Sequence, residues 1–168
     1  LLHDSLGSVE QWRNFPEALA AKTGRNVIAY DRLGFGKSTG RASPANAGFI
    51  DEEAQVYLPA IVAALGLNQY ILFGHSVGGG MALVAAAAAG NHCAAVITES
   101  AQAFVEERTL SGIRDAKKAF ESEGQFAKLT KWHGDRARWV LAAWTEVWLA
   151  PEFRGWSLDP YLSKVHCP

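Results

Sequence analysis

Hydrophobic residues fall along this chain in two rhythms. Over the first hundred positions, short apolar runs alternate with stretches whose apolar residues recur every three or four positions. Leu1-Leu2 reads as the tail of a strand. Residues 9–23 predict a helix with Trp12, Phe15, Leu19 and Ala20 on one face. Gly24 stands where a helix end favours a left-handed residue. Asn26-Val27-Ile28-Ala29-Tyr30 predicts a buried strand. A glycine-punctuated loop follows, then a helix over 51–65 that opens on three acids, which suit the positive end of a helix dipole. Tyr70-Ile71-Leu72-Phe73 predicts a third strand, 78–89 an alanine-rich helix and 94–98 a fourth strand. Strands that alternate with helices imply βαβ units, so the expected fold class is α/β, with a parallel sheet of about four strands and helices on both faces.

Beyond Phe104 the strand signal stops. Residues 109–123, 125–133 and 135–149 predict helices, and five of the six tryptophans lie here or just beyond. Charge changes at the same place. Residues 54–104 carry one charged side chain, Glu99, whereas 105–138 carry fourteen. The first stretch is expected at the centre of the fold and the second in a peripheral helical layer. The expected organisation is a sheet-bearing core over 1–103, a helical cap over 104–165, and the start of a return to the core at 166–168.

The length of 168 residues suits one domain. A formal net charge of −1 excludes a general electrostatic nucleic-acid binder, which needs a basic face. No run of 18 apolar residues suggests a membrane span. Cys93 and Cys167 make neither a disulfide framework nor a zinc set, so no metal is expected, and a reducing compartment, the cytoplasm, is the default. The chain starts without Met and stops at His166-Cys167-Pro168, as though both ends lay inside larger elements.

Candidate chemistry centres on Gly74-His75-Ser76-Val77-Gly78, a G-x-S-x-G pattern. It follows a predicted strand and opens a predicted helix, the context of a nucleophile elbow. A serine on so sharp a turn has a strained backbone and an outward-pointing oxygen. Side chains two residues away on either side would collide, which explains Gly74 and Gly78. The following helix N-terminus presents N–H groups to an oxyanion, that of Val77 first.

With Leu1-Leu2-His3 at a strand end, Asp31-Arg32-Leu33-Gly34-Phe35-Gly36-Lys37-Ser38 after the next strand, and Gly74 to Gly79, the sequence resembles the α/β-hydrolase family. The resemblance runs over essentially the whole chain and implies a core from the family's third strand to its sixth, followed by a cap. It implies that Asp31 is structural. It also implies a second oxyanion donor just after the family's His-Gly pair. That pair is His3-Asp4 here, so the donor is the Ser5 N–H, with Asp4 turned outward to bond the backbone near Leu6-Gly7.

The family's triad runs Ser, acid, His. By resemblance, the acid and the histidine would follow Pro168. Glu99 is the local candidate acid, since some members carry theirs after this strand. His133 is a candidate base in the cap, against a structural reading. The expected pocket is rimmed by His3, Asp4, Phe104, Trp139 and Trp144; the tryptophans serve either cap packing or an apolar acyl pocket.

The leading expectation is a serine hydrolase of small apolar carboxylic esters or related acyl substrates, without metal or organic cofactor. Ser76 argues against a dehalogenase, which needs a carboxylate there. C–C bond hydrolases and cofactor-free peroxidases share the serine. The alternative is a catalytically silent fragment or a small-molecule-binding module that keeps the pocket. Open sheet edges invite a homodimer.

Overall fold

A computed structural model describes all 168 residues of the chain. Its centre is a pair of parallel strands, β1 (Tyr70–His75) and β2 (Cys93–Glu99), in register from Ile71 opposite Ala95 to His75 opposite Glu99. The crossover between them is α4 (Val77–Ala89). Nine of its thirteen residues are buried, with Met81 and Ala82 wholly so and Val84 at 1% exposure. Burying a side chain such as Met81 or Val84 contributes roughly 1.5–3 kcal/mol. The small residues of this helix let it lie close against both strands, so α4 is the keel of the main core.

Of the four expected strands, only these two form ladders. Leu2 bridges β1 from its other side: its N–H donates to the Phe73 carbonyl (2.9 Å) and its carbonyl accepts from the His75 N–H (3.1 Å). Residues 26–30 form no strand, and Ile28 is 37% exposed. The single link between the two segments runs from the Leu1 amino group to the Ile28 carbonyl. Only Leu1 and Leu2 stand between residues 26–30 and β1, too few to carry a ladder. On the far edge of β2 the Val96 N–H donates to the Pro168 carbonyl (3.0 Å).

The expected helix over 9–23 is two pieces. A 3₁₀ turn (Val9–Trp12) ends at Arg13, whose φ is +52°, and α1 (Phe15–Thr23) begins with Pro16 in its first turn. Pro is pre-shaped for a first helical turn and unsuited to an interior. The expected helix over 51–65 is continuous but not uniform. It comprises α2 (Phe49–Glu52), a π-helical turn (Glu53–Tyr57) and α3 (Leu58–Ala64). The π turn brings the Glu53 carboxyl inside, where the Tyr30 hydroxyl donates to it at 2.6 Å. Burial raises the pKa of both groups. The sparsely charged stretch is not buried throughout. Val56 and Leu65 on the helical run, Ile97 on β2 and Phe104 are about half exposed.

The peripheral layer consists of α5 (Glu107–Ala119), α6 (Glu123–His133) and α7 (Ala137–Leu149). The segments that leave and rejoin the sheet side are tied together. Leu158 donates its N–H to Ala103, Val105 to Trp156, and Phe104 bridges Ser157. A short α8 (Asp159–Leu162) follows. Trp148, Phe153 and Trp156 form one aromatic cluster against the core, with Phe153 and Trp156 stacked at 5.5 Å. No helix is long and apolar enough to cross a membrane.

Candidate functional site

Ser76 joins β1 directly to α4, with φ +55° and ψ −124°. A non-glycine residue holds such a conformation only where its surroundings impose it. Here its N–H donates to the Glu99 carbonyl at the end of β2 (2.9 Å), and its carbonyl accepts from Gly79 (2.9 Å). The flanking glycines are sterically required. A Cβ at Gly74 would lie 2.1 Å from the Gly78 carbonyl oxygen, and one at Gly78 would lie 2.2 Å from the Leu2 carbonyl oxygen. Nothing larger than hydrogen lets β1 turn into α4 under the Leu2-His3 backbone.

The Ser76 hydroxyl opens on a cleft of about 420 Å³ between the elbow and the helical layer. Asp4, Ser5 and His75 line it from the sheet side, with Trp144 and Trp148 of α7 and Thr109, Gly112 and Ile113 of α5 above. No lysine or arginine lines it. Val77 begins α4, so its N–H has no carbonyl one turn earlier to bond. The Ser5 N–H also has no partner. The cleft therefore holds a hydroxyl beside two segments with free amide hydrogens.

A frame of buried polar groups holds the Ser5 loop. Asp4 accepts from the Leu6 N–H through its carboxylate (2.8 Å) and from the Gly7 N–H through its carbonyl (3.2 Å). His3 is 1% exposed; its Nδ1 meets the Asp4 carbonyl (2.9 Å) and its Nε2 accepts from the Arg32 N–H (3.1 Å). Burial, then the Arg32 charge, keep His3 well below the usual imidazole range. The buried Arg32 guanidinium donates to the Asp4 carbonyl (2.8 Å) and lies over the Phe35 ring. Asp31 takes the Val9 and Lys37 amides on its two oxygens (2.7 and 2.9 Å), and a Cβ at Gly36 would strike that carboxylate at 2.1 Å.

His133 ties the helical layer to the same frame. It is 2% exposed, its Nδ1 accepts from the Gly36 N–H (3.0 Å), and its Nε2 meets the Leu6 carbonyl (2.9 Å). Both nitrogens are thus occupied by backbone, and burial lowers its pKa.

A match to a model of the alpha/beta hydrolase fold covers residues 1–163. The chain belongs to the α/β-hydrolase fold family. Over 84 residues it is 36% identical to a proline iminopeptidase of Lactobacillus delbrueckii subsp. lactis, an alignment that takes in 50% of this chain and 29% of that relative. Among solved structures, a proline iminopeptidase of Mycobacterium smegmatis superposes with a TM-score of 0.72 at 21% identity, covering 99% of this chain and 69% of that one. A carboxylesterase structure from Nitrososphaera gargenis gives a TM-score of 0.67 at 19% identity, covering 99% and 67%. The chain thus spans under a third of the curated relative it matches and about two-thirds of these structures. At such identities the structural likeness shows the fold alone.

Within this α/β-hydrolase framework the residues singled out in the sequence line three adjoining spaces, with Ser5 and Trp144 shared between the cleft and an inner chamber and Asp4 and His75 shared between the cleft and a groove. Ser76, Ser5, Asp4, His75 and Trp144 share the cleft. His3 and Glu99 do not reach it. They line a neighbouring groove that shares Asp4 and His75 with the cleft, and the Glu99 carboxylate meets His75 Nε2 (2.9 Å) and the Ser100 hydroxyl (2.6 Å). The Glu99 carboxylate makes no bond to Ser76, whose hydroxyl meets Gln102. Trp139 is not at the cleft either. Its ring covers Gly34 and meets Phe35 edge-on, its Nε1 donates to the Ser43 carbonyl, and it lines a small inner chamber of about 20 Å³. Phe104 is 56% exposed, because it sits on the outward side of the hinge ladder.

The residue that sequence reasoning missed is Gln102. Its carboxamide Nε2 lies 3.2 Å from the Ser76 Oγ, and its Oε1 lies at 3.4 Å. Its only signal in the sequence is its place three residues past β2, where the strand end meets the elbow.

Proposed function

We propose that the chain is the nucleophile-bearing part of a serine hydrolase that acts on small apolar carboxylic esters or related acyl substrates. The carrying observation is Ser76 itself, a non-glycine residue at φ +55° whose hydroxyl opens on the cleft at the start of α4. In this reading Ser76 Oγ attacks the substrate carbonyl, and the Val77 and Ser5 N–H groups bind the resulting oxyanion. The tetrahedral species collapses, the alcohol leaves, and water hydrolyses the acyl-serine. Trp144, Trp148 and Ile113 offer the apolar wall, and with no cation at the cleft an anionic substrate has no partner there. No metal or organic cofactor enters this chemistry. The two free thiols fit a cytoplasmic setting.

The general base comes from outside the five histidines of this chain. His3 and His133 spend both ring nitrogens on the loop frame, His75 lies between Glu99 and Asp4, and His92 meets the Asn68 carbonyl. His166 has no bond to Ser76, whose hydroxyl meets only Gln102.

A second reading, a silent module that binds small molecules in the same cleft, draws on that Gln102 contact. Labelling with a fluorophosphonate, with and without added imidazole, separates the two. The hydrolase reading expects slow labelling that imidazole accelerates and that Ser76→Ala abolishes. Equal labelling of Ser76→Ala would remove Ser76 from the role. No labelling even with imidazole would favour the silent module.

A further inference from the structure

Two thiols meet far from the Ser76 cleft. Cys93 opens β2 and is 3% exposed, whereas Cys167 lies near the C-terminal end and is partly exposed. Both are free, and the Cys167 thiol is placed to donate to the Cys93 sulfur with the two sulfurs 3.8 Å apart, across 74 residues of sequence. The backbones are held side by side here by the Val96–Pro168 hydrogen bond, and Val165 and Cys167 pack against the same core cluster that contains Cys93. A disulfide brings its sulfurs to about 2 Å, so closure requires the two sulfurs to approach from their present 3.8 Å.

We propose that Cys93 and Cys167 form an oxidation site, which a hydroperoxide converts into an intramolecular disulfide that clasps the C-terminal segment to the outer edge of β2. Cys167, reachable from solvent, reacts first. Its sulfur takes one oxygen of the peroxide, the O–O bond breaks, and a sulfenic acid and one water (or alcohol) result. The Cys93 sulfur then attacks the sulfenic sulfur. The S–S bond forms, the S–O bond breaks, and the departing hydroxide leaves as water with the Cys93 proton. Two thiols lose two electrons and the peroxide gains them. Burial, together with the neighbouring Cys167 sulfur, pushes the Cys93 thiol up to about 11, so Cys93 is not the peroxide-reactive thiol, and in the second step its proximity to Cys167 offsets its small thiolate fraction. The inference is independent of the hydrolase reading.

The test treats the 168-residue chain with equimolar hydrogen peroxide. Thiol titration of the denatured product is expected to fall from two groups to none. The intact mass should drop by two hydrogens, and a non-reduced digest should join the Cys93 and Cys167 peptides; dithiothreitol should restore both thiols. Cys93→Ser should leave a sulfenic acid on Cys167 that dimedone captures, and Cys167→Ser should leave Cys93 unreacted. Oxidation should also raise the thermal midpoint of the wild-type chain but not of Cys167→Ser, a readout that survives if Cys93→Ser folds poorly. Disulfide-linked dimers through Cys167, or a dimedone adduct that accumulates on the wild-type chain in place of the internal link, would overturn the proposal.

Discussion

The Gln102 carboxamide is the only side chain hydrogen-bonded to the Ser76 hydroxyl, with Nε2 3.2 Å from Oγ. An amide can orient a hydroxyl but cannot take its proton. An imidazole at position 102 can do both. Gln102→His is therefore expected to speed fluorophosphonate labelling of Ser76 by about 100-fold, the low end of general-base effects. The rate should rise with pH as the imidazole loses its proton, around pH 6.5 for an unperturbed ring. A Gln102→His rate equal to that of Gln102→Ala would show that the geometry around Oγ is not that of a base site.

The elbow leaves no room for a methyl group. Gly74→Ala would push a Cβ to 2.1 Å from backbone, where no flexible side chain can yield. A loss of about 3 kcal/mol in unfolding free energy is expected, at the upper end of ordinary point mutations. Gly112 gives the contrast. It is a mid-helix glycine of α5, and a Cβ there meets nothing within 4 Å. Gly112→Ala is expected to stabilise by up to about 1 kcal/mol through helix propensity alone. Urea unfolding of the two variants measures both signs.

Two buried histidines set the acid limit of the fold. His3 and His133 have imidazoles lowered by burial, so each takes up a proton less readily in the folded chain than in the unfolded one. Their contribution is complete above about pH 6.5, the ordinary imidazole value, and is lost as the pH falls below it. His3 alone adds up to about 1.4 kcal/mol per pH unit over that range. Unfolding free energy should fall between pH 6.5 and 5, before most carboxylates titrate. A flat profile there would show that these rings are not buried and neutral.

Two apolar side chains lie beside the short sheet. Ile28 on the segment beside Leu1 and Ile97 on β2 are 37% and 49% exposed, and neither segment carries a full ladder on its outer side. Concentration-dependent self-association is expected by light scattering, reduced by Ile28→Lys and Ile97→Lys. A monomer throughout the micromolar range would count against it.

Much of this was legible in the sequence, because the informative signals were local. The apolar run at 70–73 followed at once by Gly74-His75-Ser76-Val77-Gly78 implies a strand, a sharp turn and a helix, and the glycines there have no alternative. The boundaries of α4 to α7 follow from periodicity to within a few residues. What failed depended on pairing. The run at 26–30 has the composition of a buried strand, but a strand exists only with a partner, and Leu1-Leu2 is too short to be one. Side-chain destinations were the other gap. Glu99 ends β2 beside the elbow, yet His75 captures its carboxylate. Trp139 and Trp144 share one helix and one inner chamber, yet only Trp144 also reaches the cleft, while Trp139 covers Gly34. Gln102 carries no motif at all.

The hinge ladder has a structural consequence for how such a molecule can diversify. Because Ala103–Val105 and Trp156–Leu158 are bonded to each other, the helical layer leaves and rejoins the sheet side at one point, and His133 gives it a second footing on Gly36 and Leu6. A roof of different length spliced at the hinge would therefore have to bring its own support for the loop that carries Ser5, or the amide hydrogens beside the strained serine would lose their anchorage.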